Sequence, residues 1–184
     1  MDIKITAHAG CMGTDMDSIE SLEVGIKYGA HILEIMEANK EVMLNIDIKD
    51  VAVIPKLNKL IYDYNLKERT YYTGINYFQL LKNEELLIGQ NYFVNLEPPK
   101  LQLTEINNKA YLLDLIQELQ RLGIMGINIY YKLATKELIE VCREKGLLSS
   151  VWTVDEEEDM KTFIGRKVNS ITTKNVEALK RLII

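Results

Sequence analysis

Residues 126–173 read GINIYYKLATKELIEVCREKGLLSSVWTVDEEEDMKTFIGRKVNSITT. Three short apolar runs, Gly126–Tyr131, Leu148–Val154 and Val168–Thr173, alternate with two amphipathic segments, Thr135–Lys145 and Asp155–Ile164. The runs have strand length and the segments helix length, and Gly146 stops the first helix as a C-terminal glycine does. A strand, a helix and a second strand in succession imply parallel pairing, because each parallel connection needs a crossover.

The same alternation extends in both directions. Ala110–Leu122 carries one broad apolar stripe of Leu112, Leu113, Leu115, Ile116 and Leu119, the spacing of a buried helix face. Before it, Met43–Lys49, Thr70–Ile75 and Tyr92–Leu96 read as strands, with helices over Val51–Tyr64 and Tyr77–Leu87; Asn175–Ile183 closes the chain as a helix. So many repeats without a glycine-rich phosphate fingerprint favour a β/α barrel over a dinucleotide-binding sheet. Leu96–Asn108, with Pro98-Pro99, is the longest irregular piece, either a loop over the barrel mouth or a short excursion. At 184 residues and 47% hydrophobic content the chain forms one domain, residues 1–184, with a real core. It is short of the ~250 residues typical of a full barrel.

The net charge of −5 argues against nucleic-acid binding, which favours a basic patch, but leaves room for a locally basic pocket. No stretch approaches the ~20 apolar residues of a membrane span. Met1–Ile5 runs straight into a strand pattern without a signal-peptide core. Cys11 and Cys142 have neither CxxC nor metal spacing and read as reduced thiols. The expected location is cytoplasmic.

Taken singly, the chemistry-bearing residues have ordinary readings. His8 at a strand end fits a hydrogen-bonded histidine, and Trp152 inside an apolar strand fits packing. Asp47 and Lys49, two apart on one strand face, fit a buried ion pair as well as a site. Glu34 fits a solvated carboxylate, and Asp155–Asp159 a solvated first helical turn.

Together these segments resemble the glycerophosphodiester phosphodiesterase family, in the family's own order. Ile5-Thr6-Ala7-His8-Ala9-Gly10 is similar to its first strand ending in His-Arg-Gly. Gly13–Leu22 and Gly29–Glu34 are similar to its first loop, first helix and second strand. Leu44-Asn45-Ile46-Asp47-Ile48-Lys49 resembles the strand ending in an acidic residue, a spacer and a lysine. Val151-Trp152-Thr153-Val154 and Ile171-Thr172-Thr173-Lys174 resemble the last two units. The resemblance implies hydrolysis of glycerophosphodiesters, within glycerophospholipid metabolism, by two histidines and a divalent metal, magnesium or calcium. It assigns His8 to the first catalytic histidine, Glu34 and Asp47 to the metal, and Lys49 and Trp152 to substrate binding. Hard carboxylate oxygens suit such a cation, and imidazoles suit proton transfer near neutral pH.

Other positions depart from the pattern. Ala9 replaces the arginine, Met36 stands in place of the second-strand aspartate, and a first-loop glutamate has become Met16 or Asp17. The second catalytic histidine has no counterpart, because the only other histidine, His31, stands at the start of the second strand, in the wrong place for proton transfer.

Only Glu37–Val42 lie between Met36 and the Met43 strand, where a parallel crossover normally takes a dozen residues or more. Residues 31–42 therefore read either as a helix, with Ile32, Leu33, Ile35, Met36, Val42 and Met43 near helical spacing, or as a covered strand. The helix is preferred, and it would take Glu34 out of the metal site.

The expected fold is an incomplete or distorted TIM-type β/α barrel lacking the normal crossover between its second and third strands. The expected function is that of a family member with impaired or lost catalysis, its ligand a small phosphodiester or glycerol phosphate. The alternatives are a non-catalytic protein of phosphate-ligand binding or assembly, and a decayed product without selected function. Uncovered strand flanks beside the short connection predict a homodimer, face-to-face or swapped through residues 3–30.

Overall fold

Several helices combine an apolar stripe with a side-chain cap. In Lys109–Arg121 the Asn108 side chain accepts from the N–H groups of Ala110 and Tyr111, and Leu112, Leu115, Ile116 and Leu119 are all buried. Thr135 caps Lys136–Glu144 through the Leu138 N–H. Pro55 opens Ile54–Asp63, where its missing N–H costs nothing. The other α-helices described in full are Tyr77–Lys82, Glu84–Leu87, Glu157–Arg166 and Val176–Ile183. This computed structural model describes residues 3–8, 11–14, 24, 27–28, 30, 32–33 and 43–183.

Eight parallel strands alternate with these helices: β1 (Lys4–Ala7), β2 (Ile32–Leu33), β3 (Met43–Asp47), β4 (Thr70–Asn76), β5 (Tyr92–Asn95), β6 (Gly126–Tyr130), β7 (Leu148–Trp152) and β8 (Ser170–Thr173). They pair in chain order, and β8 returns to β1 to close the ring. The expected distorted TIM-type barrel is the fold, and its distortion sits at β2. That strand has two residues, and nine residues, 34–42, separate it from β3.

The preferred helix over residues 31–42 is corrected at Ile32 and Leu33, which are strand; residues 34–42 lie outside the described residues. Register explains how so short a return suffices. Ile32 is level with Met43 and Leu33 with Leu44, so the connection from Leu33 to Met43 spans one residue step along the barrel. The height of a full strand does not have to be climbed.

Smaller corrections have local causes. Tyr77–Leu87 breaks at Asn83 into two helices. The helix expected from Asp155 starts at Glu157, because the Asp155 carboxylate instead accepts from the Thr173 hydroxyl (3.2 Å) and the Lys174 N–H (2.7 Å). Leu96–Asn108 packs against the helix that follows it: Leu96 and Leu101 are buried, and the Tyr111 hydroxyl donates to the Lys100 carbonyl while accepting from the Gln102 N–H.

The main core lies between strands and helices. Inside the barrel the floor is apolar, with the Tyr71 and Phe93 rings tilted against each other at 5.1 Å beside Met43 and Leu148. Above it runs a polar belt whose groups satisfy one another. Thr6 and Ser170 share a hydrogen bond (2.7 Å), Thr73 donates to Asn45 (2.9 Å), and Asn128 donates to Asn95 (3.0 Å). The belt leads up to the C-terminal rim of the strands.

Candidate functional site

Residues two apart share a strand face, so the inward positions can be followed up each strand to the rim. His8 follows β1 on the face of Thr6; it is half-buried, and its backbone N–H donates to the Thr173 carbonyl (3.0 Å). Asp47 ends β3 on the face of Asn45, and Lys49 lies two residues beyond. Trp152 ends β7, half-buried, with its ring 5.7 Å from that of Tyr130 at the end of β6. The C-terminal rim is the end of a β/α barrel where sites are built. His8, Asp47, Lys49 and Trp152 therefore share one mouth. Glu34 lies outside the described residues.

Asp47 and Lys49 form an ion pair with each other. The lysine side chain is 84% exposed and the carboxylate 35%, so the buried pair considered from sequence is a surface pair. The other carboxylate oxygen, Oδ1, accepts a long hydrogen bond from the Thr73 hydroxyl (3.5 Å), which also donates to Asn45. That oxygen rests against Gly74. A Cβ there would strike Asp47 Oδ1 and come within 2.5 Å of the Ile48 carbonyl oxygen. Gly74 also adopts φ +86°, at the point where the β4–β5 register shifts, and its N–H donates to Asn95 (3.2 Å).

Thr73, Gly74 and Tyr130 were not singled out from sequence. A glycine inside a strand pattern marks a bulge or a close backbone approach, and that signal could have identified Gly74. Tyr130 was legible from period two, since it shares a face with Gly126 and Asn128.

The described residues do not assemble a divalent-cation site. Among them no three of His, Cys, Asp and Glu converge. Of the two oxygens of Asp47, one is turned to Thr73 and Gly74 and the other to Lys49. The mouth as described offers instead an exposed ammonium, a half-buried imidazole and an aromatic wall. That combination can hold an anionic ester, with charge on one side and apolar contact on the other.

Among the described residues no helix is long and apolar enough to cross a membrane. The model of the Glycerophosphoryl diester phosphodiesterase family matches residues 14–178. A glycerophosphodiester phosphodiesterase of Caldanaerobacter subterraneus subsp. tengcongensis is 28% identical, over 91% of this chain and 70% of that protein. The glycerophosphodiester phosphodiesterase structure from Thermotoga maritima superposes with a TM-score of 0.78 at 13% identity, covering 99% of each chain. One from Parabacteroides distasonis gives 0.73 at 18% identity, covering 99% of this chain and 97% of that one. The structural likenesses carry the fold alone, but the family match runs through nearly all the strands and helices described above. The chain belongs to the glycerophosphoryl diester phosphodiesterase family.

Proposed function

We propose that this protein is a family member with impaired or lost catalysis whose barrel mouth keeps a site for a small phosphodiester or glycerol phosphate. The observation that carries this reading is the exposed Asp47–Lys49 pair at the end of β3. An exposed ion pair contributes only about 0–1 kcal/mol, so the Lys49 ammonium can turn to a phosphate at little cost. His8 serves the same mouth from β1, and Trp152 supplies apolar contact from β7.

The ancestral reaction is hydrolysis of a glycerophosphodiester to glycerol phosphate and an alcohol. It needs one group to accept the proton of water and another to protonate the leaving alcohol. His8 is the one histidine in family register for either role. A divalent ion at this mouth would have to draw on Glu34 along with Asp47. The second reading, non-catalytic ligand binding or assembly, is favoured by Ala9, Met36 and the missing second histidine.

Calorimetric titration with sn-glycerol 3-phosphate tests the site. Weak binding, weakened further by salt and abolished by Lys49→Ala, is expected. No binding at millimolar ligand, or equal binding by Lys49→Ala, would remove the site.

The proposal includes a homodimer. β2 pairs only with Thr6 and Ala7 on one side and Met43 and Leu44 on the other. β2 has two residues where β3 beside it has five, and strand flanks left uncovered invite another chain. Light scattering after size exclusion should give twice the 21.2 kDa chain mass, whether the two copies meet face-to-face or exchange residues 3–30. A mass of one chain would sink the dimer.

A further inference from the structure

Across the mouth from Asp47 and Lys49, β6 and β7 end in Tyr130 and Trp152, which are level with each other. β7 stands four places from β3 in a ring of eight, so the two groups face one another over the opening. Both aromatic residues belong to the inward face. A Cβ on Gly126 would strike the Phe93 ring inside the barrel, Asn128 donates to Asn95 in the polar belt, and Tyr130 follows in the same period. Leu148 packs on the internal Tyr71–Phe93 cluster, and Trp152 is four residues on.

The two rings are tilted by 52° at 5.7 Å, neither stacked nor edge-on, so neither ring face is covered by the other. Tyr130 is 38% exposed and Trp152 half-buried. The buried indole N–H of Trp152 has no acceptor among the described residues. Behind them Tyr131 lies edge-on to Tyr130 and holds the Lys132 ammonium 5.8 Å from its ring centre. The cluster thus already has a cation beside its outer ring, while among the described residues none lies over the two inner rings.

The chemistry of such a wall selects among alcohol groups. A primary ammonium or a glycerol hydroxyl needs hydrogen-bond acceptors when it leaves water. A methylated ammonium donates no hydrogen bond, spreads its charge over methyl groups, and is attracted to aromatic faces within about 6 Å. We infer that Tyr130 and Trp152 form a seat for a quaternary ammonium group, so that the preferred ligand is a choline-type phosphoester with its phosphate towards Lys49. This rests on the phosphate site proposed above.

Trp152 is the one tryptophan of the chain, so its fluorescence reports directly on the seat. Titrations would compare glycerophosphocholine, glycerophosphoglycerol, sn-glycerol 3-phosphate and tetramethylammonium chloride, on the full chain and on Tyr130→Leu, Tyr130→Phe and Lys49→Ala. Glycerophosphocholine should bind roughly 3- to 30-fold more tightly than glycerophosphoglycerol, the range of cation–aromatic contacts. Tyr130→Leu should erase that ratio, Tyr130→Phe should keep it, and Lys49→Ala should weaken both diesters equally. Equal binding of the two diesters, or an unchanged ratio in a folded Tyr130→Leu, overturns the seat while leaving the phosphate site standing. Quenching by tetramethylammonium without any response to glycerol phosphate supports the seat and removes the phosphate site. No response to any of the four ligands overturns both.

Discussion

Asp47 shares its carboxylate between the wall of the barrel and Lys49, and the notch that receives one oxygen exists because residue 74 has no side chain. Gly74→Ala would place a methyl group against Asp47 and Ile48 in a backbone conformation, φ +86°, that L residues rarely adopt. Strain of this kind costs roughly 1–3 kcal/mol before the contact is counted. Urea unfolding should therefore show a loss of at least about 2 kcal/mol. Gly123→Ala makes a control: φ is +71°, but nothing lies within 4 Å, so it should lose less. Equal losses would mean that the notch does not hold Asp47. His8, Asp47, Lys49 and Trp152 were legible as a group because each ends or follows a strand in a recognisable order. The ion pair between Asp47 and Lys49 was readable as one alternative but not as an exposed pair, and the part played by Thr73 and Gly74 was not read. That part depends on Asp47 lying level with Thr73 across β3 and β4 and on the β4–β5 register shift around Gly74, and no spacing within one strand encodes either.

Among the elements, β4 and β5 are tied to their helices by phenols. Tyr72 donates to the Asn58 side chain (2.8 Å) and Tyr92 to the Leu122 carbonyl (2.6 Å), and burial pushes both hydroxyls up to about 12. Burial also pushes the Cys142 thiol up to about 12. In each case the folded state keeps a proton that the unfolded chain releases at lower pH, so stability falls as pH rises. The contribution is whole below the unfolded values, declines from about pH 9 through the thiol and from about pH 10 through the phenols, and is gone by about pH 12. Urea midpoints measured from pH 8 to 11.5 should fall, and Tyr72→Phe should flatten part of the fall; an unchanged pH profile in that variant would contradict the assignment. Periodicity gave these elements away because each carries at least four residues of pattern. β2 carries two, which is too few for period two to be told from period 3.6. Its assignment as strand came from pairing with both neighbours, a long-range property.

For the whole molecule, the alternation of strands and helices was enough to expect a parallel barrel, and the chain's brevity was enough to place a distortion before Met43. Closure of the ring was not readable, because it depends on β8 meeting β1, with Thr6 level with Thr172 near the opposite end of the chain. The central claim is a family barrel that binds a phosphate ester but turns it over poorly. The direct measurement is hydrolysis of glycerophosphocholine with magnesium or calcium, beside an ordinary family member and beside His8→Ala. A missing general acid or base removes roughly 10²–10⁴-fold of rate, so turnover should lie near background and be little changed by His8→Ala. Turnover within an order of magnitude of the ordinary enzyme, abolished by His8→Ala, would contradict the account.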